Sequence, residues 1–305
     1  MKLYKRIIFC LLINIFNGAF FATFSVLASN NTCLSSKIIN DNVSNSACWI
    51  PVGLNTALSS MNVYGLINVN RVLYVAGDGG VFRTTDNGRT WKQVLQGQFI
   101  SLLYYRDVLY VVGVGFNIYR FNIDNKIWSK TLITTENNIN IVGSMIKSLI
   151  EVNGVLYAGT DNGVIFKSYD LGVSWNKVKN NLPKNTSGTF DLKFLYFHKN
   201  TLYLGADCLY KSIDGGLTFK SICSGLQANS INSMISVNGI LYAAVWKAYG
   251  QYGLYQSTDS GDTWALAKPG LPNGVNYLYY YNNNLYAAVV NNVFKLASNA
   301  KKWIV

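Results

Sequence analysis

An eight-residue pattern that recurs four times constrains the fold of this chain more than any other feature. Each copy begins with Ser or Thr, has Asp third and Gly fifth, and ends in Thr or Ser followed by Trp or Phe. An Asp side chain accepts hydrogen bonds from backbone N–H groups a residue or two further on, and Gly takes a positive φ without steric cost. The copies lie at residues 84–91, 168–175, 212–219 and 257–264. Each one predicts a tight turn between two strands.

A second motif, a Leu-Tyr pair inside a short apolar run, accompanies the first. It occurs six times, at residues 72–77, 108–113, 155–159, 201–205, 240–244 and 284–288. Four occurrences precede a copy of the eight-residue pattern, and two precede degenerate copies at residues 119–128 and 293–303. A further strand precedes each Leu-Tyr pair and ends in a polar turn, of which Asn153-Gly154 is a strong hairpin signal.

The repeating unit therefore has strand a, a turn, strand b with the Leu-Tyr pair, a loop, strand c, the eight-residue turn and strand d. The aromatic residues at 49, 91, 128, 175, 219, 264 and 303 are 37 to 47 residues apart. Four short strands in about 40 residues are typical of a propeller blade. We predict an all-β fold, a six-bladed β-propeller of four-stranded antiparallel blades, with seven blades as the alternative.

The pattern resembles the Asp-box (BNR) repeat of sialidase-like β-propellers. The resemblance implies that the box residues stabilise turns on the face opposite the b–c and d–a loops and are not catalytic. These structural residues are Asp86, Gly88, Trp91, Asp170, Gly172, Trp175, Asp214, Gly216, Phe219, Asp259, Gly261 and Trp264.

The resemblance does not extend to the sialidase active site. Sialidases of this group bind the substrate carboxylate with three arginines, but no arginine follows Arg120 here. The only glutamates are Glu136 and Glu151, which leaves little for a Tyr–Glu nucleophile pair. Similar Asp-box propellers include photosystem II assembly factors and sortilin-type receptor domains, which bind proteins. A shared fold does not establish a shared function.

The N-terminus predicts export. Lys2, Lys5 and Arg6 precede a mostly apolar stretch that ends near Ala28, as in a signal peptide. We divide the chain into a signal peptide at 1–28, an N-terminal segment at 29–59 and the propeller at 60–305. A retained membrane anchor is the alternative to cleavage. The predicted location is periplasmic, secreted or at the cell surface. In the N-terminal segment, residues 49–52 resemble a strand d and are predicted to close the ring.

Four cysteines remain after the predicted cleavage site, in an oxidising compartment. Regular pairing about the box at 212–219 places Cys208 opposite Cys223, close enough for a disulfide. Cys33 and Cys48 are then left to pair with each other. Free, buried thiols are the alternative.

The b–c loops are the predicted place for a ligand, because they lie on the face away from the box turns. Three of them have an Asp at similar positions: Asp78, Asp161 and Asp207. The longest predicted loop, residues 245–253, contains Trp246, Tyr249 and Tyr252, which suit stacking on a sugar or contact with a protein. Loop solvation, local capping and packing are the structural alternatives for all six residues.

The formal charge of +12 and a basic residue before most boxes make an anionic ligand a further hypothesis. The residues in that slot are Arg83, Arg120, Lys167, Lys211 and Lys295, with Gln256 as the exception. Cations on a solvated strand face are the plainer explanation.

We predict a monomeric, exported, non-catalytic module that binds a protein or glycan ligand and no nucleic acid. The alternative is a glycan-processing hydrolase that uses the b–c loop acids, which would require two carboxylates facing each other across a cleft. No cofactor or metal site is predicted, since His198 is the only histidine.

Overall fold

The computed structural model describes residues 13–16, 19–22, 58, 61–86, 88–133, 145–183, 190–226, 230–247, 251–267, 275–281, 284–289, 292–296 and 303–304. These residues form strands and turns and contain no helix. A short hairpin of β1 (Ile13–Phe16) and β2 (Ala19–Ala22) comes first, inside the predicted signal peptide. No helix that is long and apolar enough to cross a membrane occurs in these ranges.

Six four-stranded antiparallel sheets follow, which we number blades 1 to 6 in chain order. Blade 1 contains β3 (Val63–Val69), β4 (Val72–Gly77), β5 (Gly80–Thr84) and β6 (Lys92–Leu95). Blade 2 contains β7 (Phe99–Tyr105), β8 (Val108–Gly113), β9 (Asn117–Asn122) and β10 (Trp128–Leu132). Blade 3 contains β11 (Ile146–Val152), β12 (Val155–Thr160), β13 (Ile165–Ser168) and β14 (Asn176–Val178).

The second half repeats this arrangement. Blade 4 contains β15 (Phe194–His198), β16 (Thr201–Gly205), β17 (Leu209–Ser212) and β18 (Lys220–Ser221). Blade 5 contains β19 (Ser230–Val237), β20 (Ile240–Lys247), β21 (Gln251–Ser257) and β22 (Ala265–Leu266). Blade 6 contains β23 (Val275–Tyr281), β24 (Asn284–Val289), β25 (Asn292–Leu296) and β26 (Trp303–Ile304). The prediction of an all-β fold of four-stranded antiparallel sheets is confirmed.

Every sheet is an up-and-down meander, so strands a, b, c and d are neighbours in chain order. Strand a of each blade from 1 to 5 contacts strand a of the next blade, and the a strands therefore lie side by side. The predicted hairpin at Asn153-Gly154 is confirmed, because Val152 pairs with Val155 and both turn residues have positive φ.

The core lies between successive blades rather than inside one sheet. One cluster joins Tyr110, Val112 and Ile118 of blade 2 to Leu156 and Phe166 of blade 3, and all five side chains are fully buried or nearly so. Apolar side chains on the two faces of a sheet therefore pack into two such clusters, one with each neighbouring blade. Burial of each side chain of this size stabilises the fold by about 1.5–3 kcal/mol. This explains why blades 2 and 6 keep their apolar strands although their boxes are degenerate.

A bulge in strand a recurs in five blades, for example between Ile146 and Ser148 and between Ile231 and Ser233. It turns Ser148 toward the next blade, where its Oγ accepts a hydrogen bond from Leu195 N at 3.0 Å. Ser233 does the same for Leu278 N at 3.2 Å. Each of these two serines thus joins the a strands of neighbouring blades.

The predicted Cys208–Cys223 disulfide is present in blade 4, where the Cα atoms are 5.7 Å apart. The predicted register is also found, since Tyr210 pairs with Ser221 and Lys211 with Lys220. Cys33, Cys48 and the closing strand predicted at 49–52 lie outside the described residues.

The interpretation of residues 245–253 as a long loop is wrong for most of its length. Residues 245–247 continue β20 and residues 251–253 begin β21, and Trp246 pairs with Tyr252. Val245 is fully buried, which explains why this part of the hairpin remains a strand. Tyr249 lies outside the described residues.

Candidate functional site

The four complete boxes form turns with one shared hydrogen-bond pattern. In the box of blade 5, Ser257 Oγ donates to Asp259 Oδ1 at 2.7 Å, and Gly261 N donates to Ser257 Oγ at 2.8 Å. Thr263 N donates to the same Asp259 oxygen at 2.9 Å. The equivalent bonds occur in the boxes of blades 1, 3 and 4. In every box, the first Ser or Thr and the Asp satisfy the backbone donors of the turn.

These bonds shift the acidity of the box carboxyls. The pKa values of Asp86, Asp214 and Asp259 lie far below the usual range of a carboxyl. The main cause is a side-chain hydrogen bond, from Thr90 to Asp86, from Ser212 to Asp214 and from Thr263 to Asp259. For Asp170, burial acts in the opposite direction, but hydrogen bonds from Ser174 and Ser168 still lower its pKa. All four carboxylates are therefore charged at neutral pH and occupied within their own turns.

The boxes of blades 3 and 5 also receive side chains from the blade before them. The Tyr of the Leu-Tyr pair and the cation of the slot before the box are cross-strand neighbours, as in Tyr110 and Arg120 of blade 2. Tyr110 Oη donates to Leu171 O of the blade 3 box at 3.0 Å, and Arg120 Nη1 donates to the same carbonyl at 3.2 Å. Burial raises the pKa of Tyr110 to about 12, so its hydroxyl remains a donor.

The same contact recurs between blades 4 and 5. Tyr203 Oη and Lys211 Nζ donate to Ser260 O at 3.2 and 3.4 Å, and Lys211 Nζ lies 2.8 Å from Asp262 Oδ1. We call this arrangement the Tyr–cation staple. The row of cations is visible in the sequence, but its contact with the next blade was not predicted. A signal for it exists, because a Tyr and a cation occur at one register in five of the six sheets, with Gln256 as the exception.

Between blades 3 and 4, Tyr157 and Lys167 occupy the staple positions. A Cβ at Gly215 of the blade 4 box would lie 3.2 Å from both Lys167 Nζ and Tyr157 Oη. Lys167 Nζ also lies 5.1 Å from the centroid of the Tyr157 ring. The staple cations of blades 2, 3 and 4 are thus directed at the next box.

On the opposite face, two of the predicted ligand-binding acids cap their own blades. Asn62 N and Nδ2, just before strand a of blade 1, donate to Asp78 Oδ1 at 3.0 Å and Oδ2 at 2.6 Å. Met145 N, just before strand a of blade 3, donates to Asp161 Oδ1 at 3.0 Å. Asp78 and Asp161 therefore occupy equivalent positions, which we call the rim position.

The rim position differs in the other blades. It is Val114 in blade 2, whose N donates to Gln98 O at 3.1 Å, and Trp246 in blade 5, which pairs with Ser230. Trp246 is half-buried. Asp207 of blade 4 follows Tyr203 by four residues, as Asp78 follows Tyr74, and so stands at the rim position by register, but it is exposed. Burial and, after it, the Asp207 carboxylate raise the pKa of Tyr210 to about 12. The backbone of Tyr252 pairs with that of Trp246.

Apolar side chains are exposed on the box turns of neighbouring blades. The second and sixth box positions are Tyr169 and Val173 in blade 3 and Ile213 and Leu217 in blade 4, and each is more than half exposed. Ile127, in the corresponding turn of blade 2, is 60% exposed. The boxes of blades 1 and 5 have Thr85, Arg89, Thr258 and Asp262 at these positions. Among the turns that the structure describes, the apolar tips are therefore concentrated on blades 2 to 4.

No cluster of three His, Cys, Asp or Glu side chains with metal-ligand spacing occurs in the described ranges. A family-model search finds no match to the chain. Among curated proteins, the chain is similar to the xyloglucanase Xgh74A of Acetivibrio thermocellus, with 24% identity over 266 residues. This match covers 71% of the chain but only 26% of the xyloglucanase. The chain thus spans about a quarter of the curated relative it matches.

Solved structures give a consistent picture of the fold. The extracellular domain of the BT4673 one-component system from B. thetaiotaomicron has a TM-score of 0.62 and 15% identity over 76% of this chain and 32% of that one. YCF48 from Cyanidioschyzon merolae has a TM-score of 0.61 and 14% identity over 80% of this chain and 84% of that one. An ancestral GH74 enzyme has a TM-score of 0.58 and 20% identity over 76% of this chain and 36% of that one. With these similarities and its four-stranded meanders, the fold of the chain is a β-propeller.

Proposed function

We propose that this protein is an exported, non-catalytic β-propeller that binds a protein or glycan ligand. The observation that carries the proposal is the capping role of Asp78 and Asp161. A glycosidase needs one carboxyl free to transfer a proton and another free to attack or to activate water. Both oxygens of Asp78 and one oxygen of Asp161 instead accept hydrogen bonds from residues before strand a of their own blades.

Two further observations support binding. Exposed apolar side chains on adjacent box turns are typical of surfaces that contact other proteins. The names of the matched proteins include a xyloglucanase and a GH74 enzyme, which connects this kind of propeller with glycans. The anionic ligand is less well supported, because Arg120 and Lys211 of the cation row are hydrogen-bonded to carbonyls of the next box.

The proposal includes several sequence predictions that remain to be tested. The turns are Asp-box (BNR) turns with structural roles, residues 1–28 are a signal peptide, Cys33 pairs with Cys48, and the protein is a monomer with six blades. Asp207, Trp246, Tyr249 and Tyr252 remain candidate ligand-binding residues. The glycosidase is the competing function.

The test is a double substitution, Asp78→Ala with Asp161→Ala, assayed for xyloglucan hydrolysis and for ligand capture. We expect neither wild type nor variant to hydrolyse xyloglucan, and we expect the variant to retain its ligand. Loss of the caps should lower the free energy of unfolding by about 0.5–1.5 kcal/mol for each hydrogen bond removed. Turnover by wild type that disappears in a folded variant would overturn the proposal. Asp124→Ala is the control, since it removes an exposed carboxylate in the c–d turn of blade 2, on the opposite face.

A further inference from the structure

Blade 2 departs from its neighbours at the rim position. Blades 1 and 3 have a capping Asp there, whereas blade 2 has Val114, which is 43% exposed. The backbone is nevertheless equivalent, because Asp78 N, Val114 N and Asp161 N each donate to the carbonyl of the residue just before strand a. The difference between the blades therefore lies in the side chain at this position.

A hollow of about 260 Å³ opens beside Val114. It is lined by Gly97, Gln98, Phe99, Gly113, Val114, Asn117 and Tyr119. Two glycines keep it open, since a Cβ at Gly113 would lie 3.2 Å from Tyr119 Cε2 and one at Gly97 would lie 3.0 Å from Phe99 Cζ. In blade 1 the residue equivalent to Gly97 is the buried Met61, whose side chain lies against Gly77 and Gly79, since a Cβ on either glycine would lie 3.1 Å from it.

Polar groups around the hollow have unused hydrogen-bonding capacity. Within the described part of the chain, neither the Gln98 side-chain amide nor the Tyr119 hydroxyl makes a hydrogen bond. In blade 4 the tyrosine equivalent to Tyr119, Tyr210, instead interacts with Asp207. Asn117 Nδ2 donates to Val114 O at 3.0 Å, and this bond leaves its amide oxygen as an acceptor. The hollow thus combines amide donors and acceptors, a phenol and an aromatic edge.

This chemistry suits one class of ligand. Sugar hydroxyls both donate and accept hydrogen bonds, and a pyranose ring also has apolar C–H faces that pack against aromatic side chains. All seven lining residues are uncharged, which favours a neutral sugar over an acidic one. The volume is near the lower end of ligand pockets, roughly 300–1,000 Å³, and suits a single sugar ring rather than an extended molecule.

We propose that the hollow beside Val114 binds one neutral pyranose unit of a glycan. Gln98, Asn117 and Tyr119 hydrogen-bond its hydroxyls, and Val114 packs against the ring. This assignment rests on the proposed binding function and names its ligand class and site.

The decisive variant is Val114→Asp, which restores the residue type that blades 1 and 3 have at the rim position. Its carboxylate is expected to cap Gln98 N as Asp78 caps Asn62 N, so the fold is retained while the hollow is filled and charged. Leu266→Asp is the control, because it makes a similar apolar-to-acid change at a residue that is 64% exposed in strand d of blade 5. Tyr119→Phe removes one hydroxyl with almost no change in volume.

The probes are xyloglucan oligosaccharides and a glycan array, with thermal unfolding recorded for every variant. We expect wild type and Leu266→Asp to bind a neutral glycan equally, Val114→Asp to bind at least tenfold more weakly, and Tyr119→Phe to be weakened severalfold. Equal binding by Val114→Asp would refute the site but leave glycan binding as a function. Binding confined to acidic glycans, or to none, would also refute the site. If wild type bound no neutral glycan but captured a protein ligand, the proposed binding function would still hold although the sugar site would be refuted.

Discussion

At the scale of single residues, the box positions have different structural roles. The Gly at the fifth position takes a φ of 79° to 93° in all four boxes, which other residues rarely adopt. At Gly261 a Cβ would also lie 2.8 Å from Cδ1 of the buried Ile222. The first Ser or Thr and the Asp bond the turn, whereas the second and sixth positions face solvent in blades 3 and 4. In these two blades the box therefore fixes the backbone of the turn and leaves its second and sixth side chains in solvent.

The lowered pKa values of the box carboxyls predict an acid-sensitive fold. An Asp has a pKa of about 3.9 in an unfolded chain, and in the folded protein Asp259 has a lower one because Thr263 and Ser257 donate to it. Its contribution to stability is complete above the unfolded pKa and is lost as the pH falls toward the folded pKa. We expect the melting temperature to decline below about pH 4, and to decline less steeply in Asp259→Asn.

Thermal unfolding monitored by circular dichroism between pH 2 and pH 7 measures this dependence. Thr258→Ala is the control, since Thr258 is exposed in the same turn and the box bonds do not use its side chain. If the melting temperature of Asp259→Asn depended on pH as that of wild type does, titration of the Asp259 carboxyl would not contribute to the stability of the fold.

At the scale of strands and turns, the repeat pattern predicted much of the fold. Turn residues such as Asn153-Gly154 and the register about the box at 212–219 predicted strand pairing, because both depend on local geometry. The extended hairpin at 245–253 was missed, since Lys, Gly and Gln within it are typical of a loop, whereas Val245 is buried in a cluster shared with blade 4. Contacts between blades, such as the Tyr–cation staple, depend on the distance between two sheets. A sequence pattern within one blade does not specify that distance.

The staple predicts unequal effects from the same substitution in different blades. Tyr203→Phe removes the hydroxyl that donates to Ser260 O and should lower the free energy of unfolding by about 0.5–1.5 kcal/mol. Tyr74 occupies the same position in blade 1, next to Arg83 and before the degenerate box of blade 2. Its hydroxyl makes no hydrogen bond within the described residues, which include that turn, so Tyr74→Phe should be close to neutral. Urea unfolding of both variants measures the difference, and equal losses would refute a stabilising role for the staple.

At the scale of the whole molecule, the staple connects consecutive blades in one direction around the axis. Each observed staple leads from a blade to the box of the next, as from blade 2 to blade 3 and from blade 4 to blade 5. The candidate ligand site lies on the other face, at the rim. One face therefore holds the blades together, and the other is free to vary in sequence, as Val114 and Trp246 illustrate at the rim position.

This direction gives a test of ring closure. Blade 6 has a Tyr at the staple position, Tyr286, which pairs with Lys295, and blade 1 has a complete box. If six blades close the ring, Tyr286 has a box to bond, and Tyr286→Phe should cost about as much as Tyr203→Phe, about 0.5–1.5 kcal/mol. If a seventh blade without a box intervenes, the substitution should be as mild as Tyr74→Phe. Urea unfolding of the three variants side by side decides between the two blade numbers, because the same hydroxyl is removed in each and only its neighbour differs.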